Sequence, residues 1–192
     1  MQDNGIELYR RFLNGDERGL EELIALYQHG LLRFIYGYVR DFALAEDILQ
    51  ETFISLYFHR AFKPRDDASF KTYLYKIARN KSLNALKKRK RKKEISLDAL
   101  TAPMKETPDF LTYSPHGELE EKERAKILQA ALEKLKPDYR EALTLRYYDG
   151  LSPEQIAAVT KKNIKKIYNL LARGKAALKA ELQKEGRDHE DL

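Results

Sequence analysis

The chain has no cysteine. That excludes disulfides, thiolate metal sites and thiol nucleophiles together. Histidine is scarce as well: His29, His59, His116 and His189 stand far apart, without the spacing of a metal site. Long apolar runs are missing, and no stretch approaches the roughly eighteen residues that span a bilayer. The opening "MQDNGIELYRRFLNG" lacks the charged-then-apolar order of a secretory signal. These two absences predict a soluble, cytoplasmic protein. Nor is there a Gly-rich phosphate loop, an HExxH pair or a nucleophile beside a base. No catalytic group, cofactor, metal or small-molecule substrate is expected.

What the chain does have is charge, in blocks. Its 192 residues hold 36 basic and 30 acidic side chains, a net +6. Residues 1–93 carry 19 basic against 12 acidic side chains, residues 94–120 one against six, and residues 121–192 sixteen against 12. Two basic blocks therefore flank an acidic connector, and basic blocks on helices point first to nucleic acid. The densest lies in "NALKKRKRKKEI", where Lys87 through Lys93 are seven cations in a row.

Apolar steps of three and four recur in "GLEELIALYQHGLLRFIYGYV" and in "FALAEDILQETFISLYFH", through Ile48, Leu49, Phe53 and Leu56. They return in "SFKTYLYKIARNKSLNALKKRKR", through Phe70, Leu74, Ile77 and Ala78. Strand-type alternation is scarce, so the spacing predicts an all-α chain, with a loop at "AFKPRDDAS". Residues 94–120 hold three of the six prolines and no sustained period, and read as an extended linker. The expected layout is two helical domains, 1–93 and 121–183, joined by a flexible linker, 94–120, with a tail at 184–192.

The second domain carries the most specific local pattern, "LSPEQIAAVTKKNIKKIYNLLARGKAAL". Ser152 is a good N-cap, Pro153 suits the first helical position, and Gln155 completes a capping box. A turn at Thr160–Lys162 follows, and Asn163 can cap the next helix. From Ile164 onward, Ile164, Ile167, Leu170, Leu171 and Gly174 share one face; Lys165, Lys166, Asn169, Ala172 and Arg173 share the other. Six basic residues and no acid lie between Lys161 and Lys175. This is a helix-turn-helix with an apolar side for the bundle and a basic, amide-bearing side for the major groove. The alternative is an amphipathic helix with a solvated basic face.

"ALAEDILQETFISLYFH", followed by "FKTYLYKIARNKSLNALKKRKR", closely resembles the extracytoplasmic-function (ECF) sigma factors of bacterial RNA polymerase. "FLNGDERGLEELIALYQHGLLRFIYGYV" is similar to the first helices of that family. "LEKLKPDYREALTLRYYDGLSPEQIA" is similar to its C-terminal domain, and the resemblance covers roughly 10–90 and 121–180. It implies a chain that binds core polymerase, its first domain recognising and melting the −10 promoter element, its second recognising the −35 element. Asp47, Gln50 and Glu51 match family positions that dock on the clamp coiled coil of the largest subunit. A carboxylate–amide–carboxylate patch can pair with basic side chains without deep burial; the bland alternative is a solvated acidic face.

The loop "AFKPRDDAS" corresponds to the family's base-capturing loop, which makes Phe62 and Lys63 candidates for holding an unstacked base. Tyr73 stands where the family usually has Trp, and Asn80 and Asn84 match positions near the same strand. Lys76 is a further expected −10 contact, and the run beginning Lys87, Lys88, Arg89 would grip phosphates, giving affinity and register rather than sequence; its alternative is a localisation signal or a solvated tail. Phe70 is expected to be core. In the second domain Lys162, Asn163, Lys165, Lys166, Asn169 and Arg173 are the expected −35 contacts. Lys161 occupies a turn position where the family commonly has Gly, and Lys166 and Leu170 replace polar residues. The resemblance also implies a cognate anti-sigma factor. Two other readings of the residues stay open: a free-standing helix-turn-helix regulator binding operator DNA as a dimer, and a protein-interaction module that titrates a partner.

Overall fold

A computed structural model describes residues 4–59, 69–95 and 119–185. Every regular element there is helical, with no strand among the described residues, as the periodicity predicts. The chain divides into two compact units. The first is built on α1 (Gly5–Leu13), α2 (Arg18–Val39), α3 (Phe42–His59) and α4 (Phe70–Ile95). The second is built on α5 (Leu119–Lys134), α6 (Pro137–Leu143), α8 (Ile164–Glu185) and most of α7 (Pro153–Thr160). No helix among the described residues is long and apolar enough to cross a membrane.

In the first unit, α1 and α2 approach so closely that a side chain at their contact cannot fit. A Cβ on Gly19 would lie 2.6 Å from the Leu8 carbonyl oxygen and 2.8 Å from the Phe12 nitrogen. Arg11 closes the corner, its guanidinium 2.8 Å from Asp16 and 3.0 Å from Glu22. The Asp16 carboxyl is held below its ordinary range, first by the hydrogen bond from Arg11 and also by its charge and the Arg18 amide. α2 stops at Arg40, whose left-handed backbone (φ 53°) lets its N–H return to the Tyr36 carbonyl at 3.0 Å. Side-chain caps start the next two helices: Asp41 accepts from the Leu44 amide, and Ser69 from the Thr72 amide, both at 3.2 Å. The core is aromatic. The Tyr9 and Phe34 rings meet those of Phe70 and Tyr75, each pair with centroids 5.0 Å apart. Phe70 is fully buried, as expected.

The second unit packs α6 and α5 against α8. Leu132, Leu135 and Leu143 form its core with Leu171 and Leu178 against them; burying each leucine is worth about 1.5–3 kcal/mol. Pro137 opens α6, where its fixed φ is preorganised and its missing N–H costs nothing. The helix does not run evenly to Gly150. Residues Thr144–Tyr148 widen to a π turn, and the Asp149 N–H donates to the Thr144 carbonyl five residues back, at 3.1 Å. Gly174 admits α8 to α6, because its missing side chain would sit 3.3 Å from Tyr139 Cβ and Leu143 Cγ.

Candidate nucleic-acid and protein interfaces

α3 buries Ala45, Ile48, Phe53 and Leu56 and turns Asp47, Gln50 and Glu51 outward. Thr52, also buried, satisfies its hydroxyl on the Ile48 carbonyl at 2.7 Å, so the inner face carries no orphan polar group there. The outward stripe continues beyond the expected patch. Ile54 and Phe58 follow Asp47 by seven and eleven residues, on the same face, and are 53% and 72% exposed. Phe58 leans edge-on against Tyr57, ring centroids 5.2 Å apart. A helical wheel places both residues there, but apolar residues on a polar stripe are easily assigned to the core by type. Glu51 is 3.2 Å from Lys81 of α4, so the acidic patch and the next helix share an ion pair.

Along α4, Tyr73, Lys76, Asn80, Asn84 and Lys87 recur at steps of three or four, so the structure brings them onto one face. Asn80, Asn84 and Lys87 are exposed, while Tyr73 and Lys76 are half-buried, the Tyr73 ring centroid 6.4 Å from that of Phe70. Burial pushes the Tyr73 hydroxyl pKa up, so it stays a neutral donor. The helix does not end before the basic run; it continues through all seven cations to Ile95. Like charges three and four places apart each weaken a helix by about 0.2–0.5 kcal/mol, and every residue of the run has such a neighbour. An anionic surface alongside removes that cost. Lys88 points to solvent, and Arg89 is loosely tethered, 3.9 Å from Asp41 and 3.5 Å from the Val39 carbonyl oxygen. Phe62 and Lys63 lie outside the described residues.

In the second unit the capping box forms as spaced: the Gln155 amide donates to Ser152 Oγ at 3.2 Å, and the Ser152 amide to Gln155 Oε1 at 2.8 Å. Asn163 caps α8 by accepting from the Lys166 amide at 2.8 Å. Lys161, between them, is left-handed at φ 58°. α8 buries Ile167, Leu170 and Gly174 and exposes Lys165, Lys166, Asn169, Ala172 and Arg173. Ile164 departs from the wheel: it is exposed, because it lies in the opening turn at the edge of the buried arc, and the buried positions of α8 begin only at Ile167. Tyr168 is exposed beside it, its hydroxyl 3.4 Å from Glu154. Lys162 differs from the other cations. Its ammonium sits 3.3 Å from Asp138 and 3.1 Å from Glu141, both on α6.

Two family descriptions match these units. Sigma-70 region 2 covers residues 23–92, and Sigma-70 region 4 covers residues 125–178. The RNA polymerase sigma-H factor of Pseudomonas aeruginosa is 33% identical over 186 residues, 95% of each chain. The ECF sigma-E factor of Escherichia coli K12 is 32% identical over 92% of this chain and 93% of its own. This chain is an ECF sigma factor. SigM of Bacillus subtilis is 30% identical over 84% and 93%. Among solved structures, the sigma factor RpoE in complex with the anti-sigma factor NepR from Bartonella quintana shares the fold. It gives a TM-score of 0.66 at 24% identity, over 85% of this chain and 96% of that one. CnrH in complex with the cytosolic domain of CnrY gives 0.63 at 21%, over 95% and 99%. As an ECF sigma factor, the chain directs RNA polymerase to promoters and takes part in transcription initiation. Region 2 coincides with the helices that carry the α3 and α4 stripes, and region 4 with the helix-turn-helix.

Proposed function

We propose a division of labour for this sigma factor at the level of named residues. Residues 1–93 dock on core polymerase and open the −10 element, residues 121–183 read the −35 element, and 94–120 join the two in sequence. Asp47, Gln50 and Glu51 pair with basic side chains of the largest subunit's clamp, with Ile54 and Phe58 adding apolar contact beside them. Tyr73, Lys76, Asn80 and Asn84 meet the displaced strand, Phe62 and Lys63 help hold its flipped base, and Lys87, Lys88 and Arg89 grip phosphate. Asn163, Lys165, Lys166, Asn169 and Arg173 enter the major groove of the −35 element. The observation that supports this most directly is the single stripe on α4, with an aromatic and two amides at one end and the basic run at the other. Aromatic and amide groups suit exposed bases, and cations suit backbone.

A cognate anti-sigma factor fits this reading, since RpoE of Bartonella quintana, one of the solved structures of this fold, is bound to one. The chain itself catalyses nothing; polymerisation belongs to the core enzyme, and the cytoplasm is where the two would meet. Transcription in vitro tests the proposal. Purified chain and core polymerase are supplied with fragmented source DNA, and transcript 5′ ends are sequenced. Start sites that need the chain and share two upstream motifs are the expected result. Dependent starts that share only one upstream motif, or none, would overturn the division into a −10 and a −35 reader.

A further inference from the structure

Lys162 was an expected DNA contact, yet its surroundings are wrong for a phosphate. Its side chain is 15% exposed and that of Glu141 9%. Two carboxylates already face that one ammonium, so a polyanion gains little there. To reach a phosphate, Lys162 would have to give up both ion pairs, and the one with Glu141 is largely withdrawn from water, where separating charges costs more than at the surface. The position of the cluster matters as much as its charge. Lys162 immediately precedes Asn163, the cap of α8, and its two partners lie on α6. Twelve residues on, Gly174 admits α8 to the same helix against Tyr139 and Leu143. α8 is therefore pinned to α6 at two separated points, one apolar and one ionic.

We infer that Lys162 is a positioning residue: its ion pairs with Asp138 and Glu141 set the entry angle of α8, and so decide whether Asn169 and Arg173 meet base edges. The inference rests on the reading that α8 enters −35 DNA. It is tested on holoenzyme made from the full chain and core polymerase, with a promoter fragment taken from its own start sites and a copy scrambled at the −35 element. If the chain directed no starts, the sigma reading would fail, and the same variants would be measured on duplex selected by the full chain.

In Lys162→Met, discrimination between cognate and scrambled fragments falls about tenfold, the scale of one side chain that no longer meets its base. The slope of log K against log[salt] stays that of the parent chain. Lys165→Met, by contrast, makes the slope shallower by about 0.9, the share of one phosphate. A melting curve accompanies each variant. Lost stability alone lowers the active fraction and leaves discrimination unchanged, which would overturn the inference; so would a shallower slope in Lys162→Met. The exchange Lys162→Glu with Glu141→Lys is the second test. Restored discrimination supports a strut, because an acid at 162 could not serve a phosphate, and continued loss would count against it.

Discussion

Lys161 sits in a left-handed backbone with a full side chain. L-residues other than Gly, Asn and Asp avoid that region at a cost of about 1–2 kcal/mol. Lys161→Gly is expected to raise stability by about 1 kcal/mol, less the extra freedom glycine gives the unfolded chain; a urea titration against the parent reads it directly. Asp16 makes a prediction in pH. Its folded pKa lies below the ordinary 3.8, chiefly through the Arg11 hydrogen bond. Its contribution is therefore fully present above 3.8 and is lost as pH falls through the lower folded value. The difference in urea midpoint between parent and Asp16→Asn should be present at pH 7 and shrink as the pH is taken down below 3.8. A difference that persisted in acid would mean that the corner is held by something other than this ion pair. Gly19→Ala carries the largest expected cost at this scale, since its new methyl group would overlap the α1 backbone rather than a side chain able to turn away.

At the scale of the element, legibility followed the range of the interaction. Ser152, Gln155 and Asn163 announce helix starts because a cap is a local bond spanning two or three residues. The stripes on α3 and α4 are legible because helical spacing alone puts residues on one face. Lys162 is not, because its partners lie 21 and 24 residues away and no wheel of α8 contains them. The π turn at Thr144–Tyr148 leaves no mark in the sequence either; one residue in excess of the regular turn is absorbed by packing, not by a propensity. The basic run of α4 makes its own prediction. Replacing Lys87, Lys88 and Arg89 with glutamine should weaken promoter complexes about equally on all sequences. It should also flatten the salt slope by about 0.9 for each phosphate that is no longer neutralised. A change in −10 preference would show instead that these side chains read bases.

For the whole molecule, the fold class and the two helical units were legible from periodicity and from the charge blocks. A docking role for Asp47, Gln50 and Glu51 comes only from the resemblance, because an acidic face looks the same whether it is solvated or waiting. Here too an experiment decides. Asp47→Lys combined with Glu51→Lys should abolish capture of the chain by core polymerase while leaving its helical circular dichroism intact, since both positions are exposed. Phe58→Ser should weaken capture less. If the double charge reversal binds core as well as the parent, the docking face lies elsewhere on the first unit.

The unbroken course of α4 has a mechanical consequence. Fourteen residues separate Tyr73 from Lys87, so a rigid rod of about 21 Å joins the aromatic end to the cationic end. Laid along a strand, that is about six nucleotide steps. On the proposed division of labour the helix would work as a ruler, converting the place where a strand opens into the place where the duplex upstream is held. A ruler can be recut: one alanine inserted after Leu86 moves the cationic run only about 1.5 Å and leaves a cation on every face, whereas four carry it about 6 Å along, nearly two nucleotide steps. Promoter opening should largely survive the first and fail with the second.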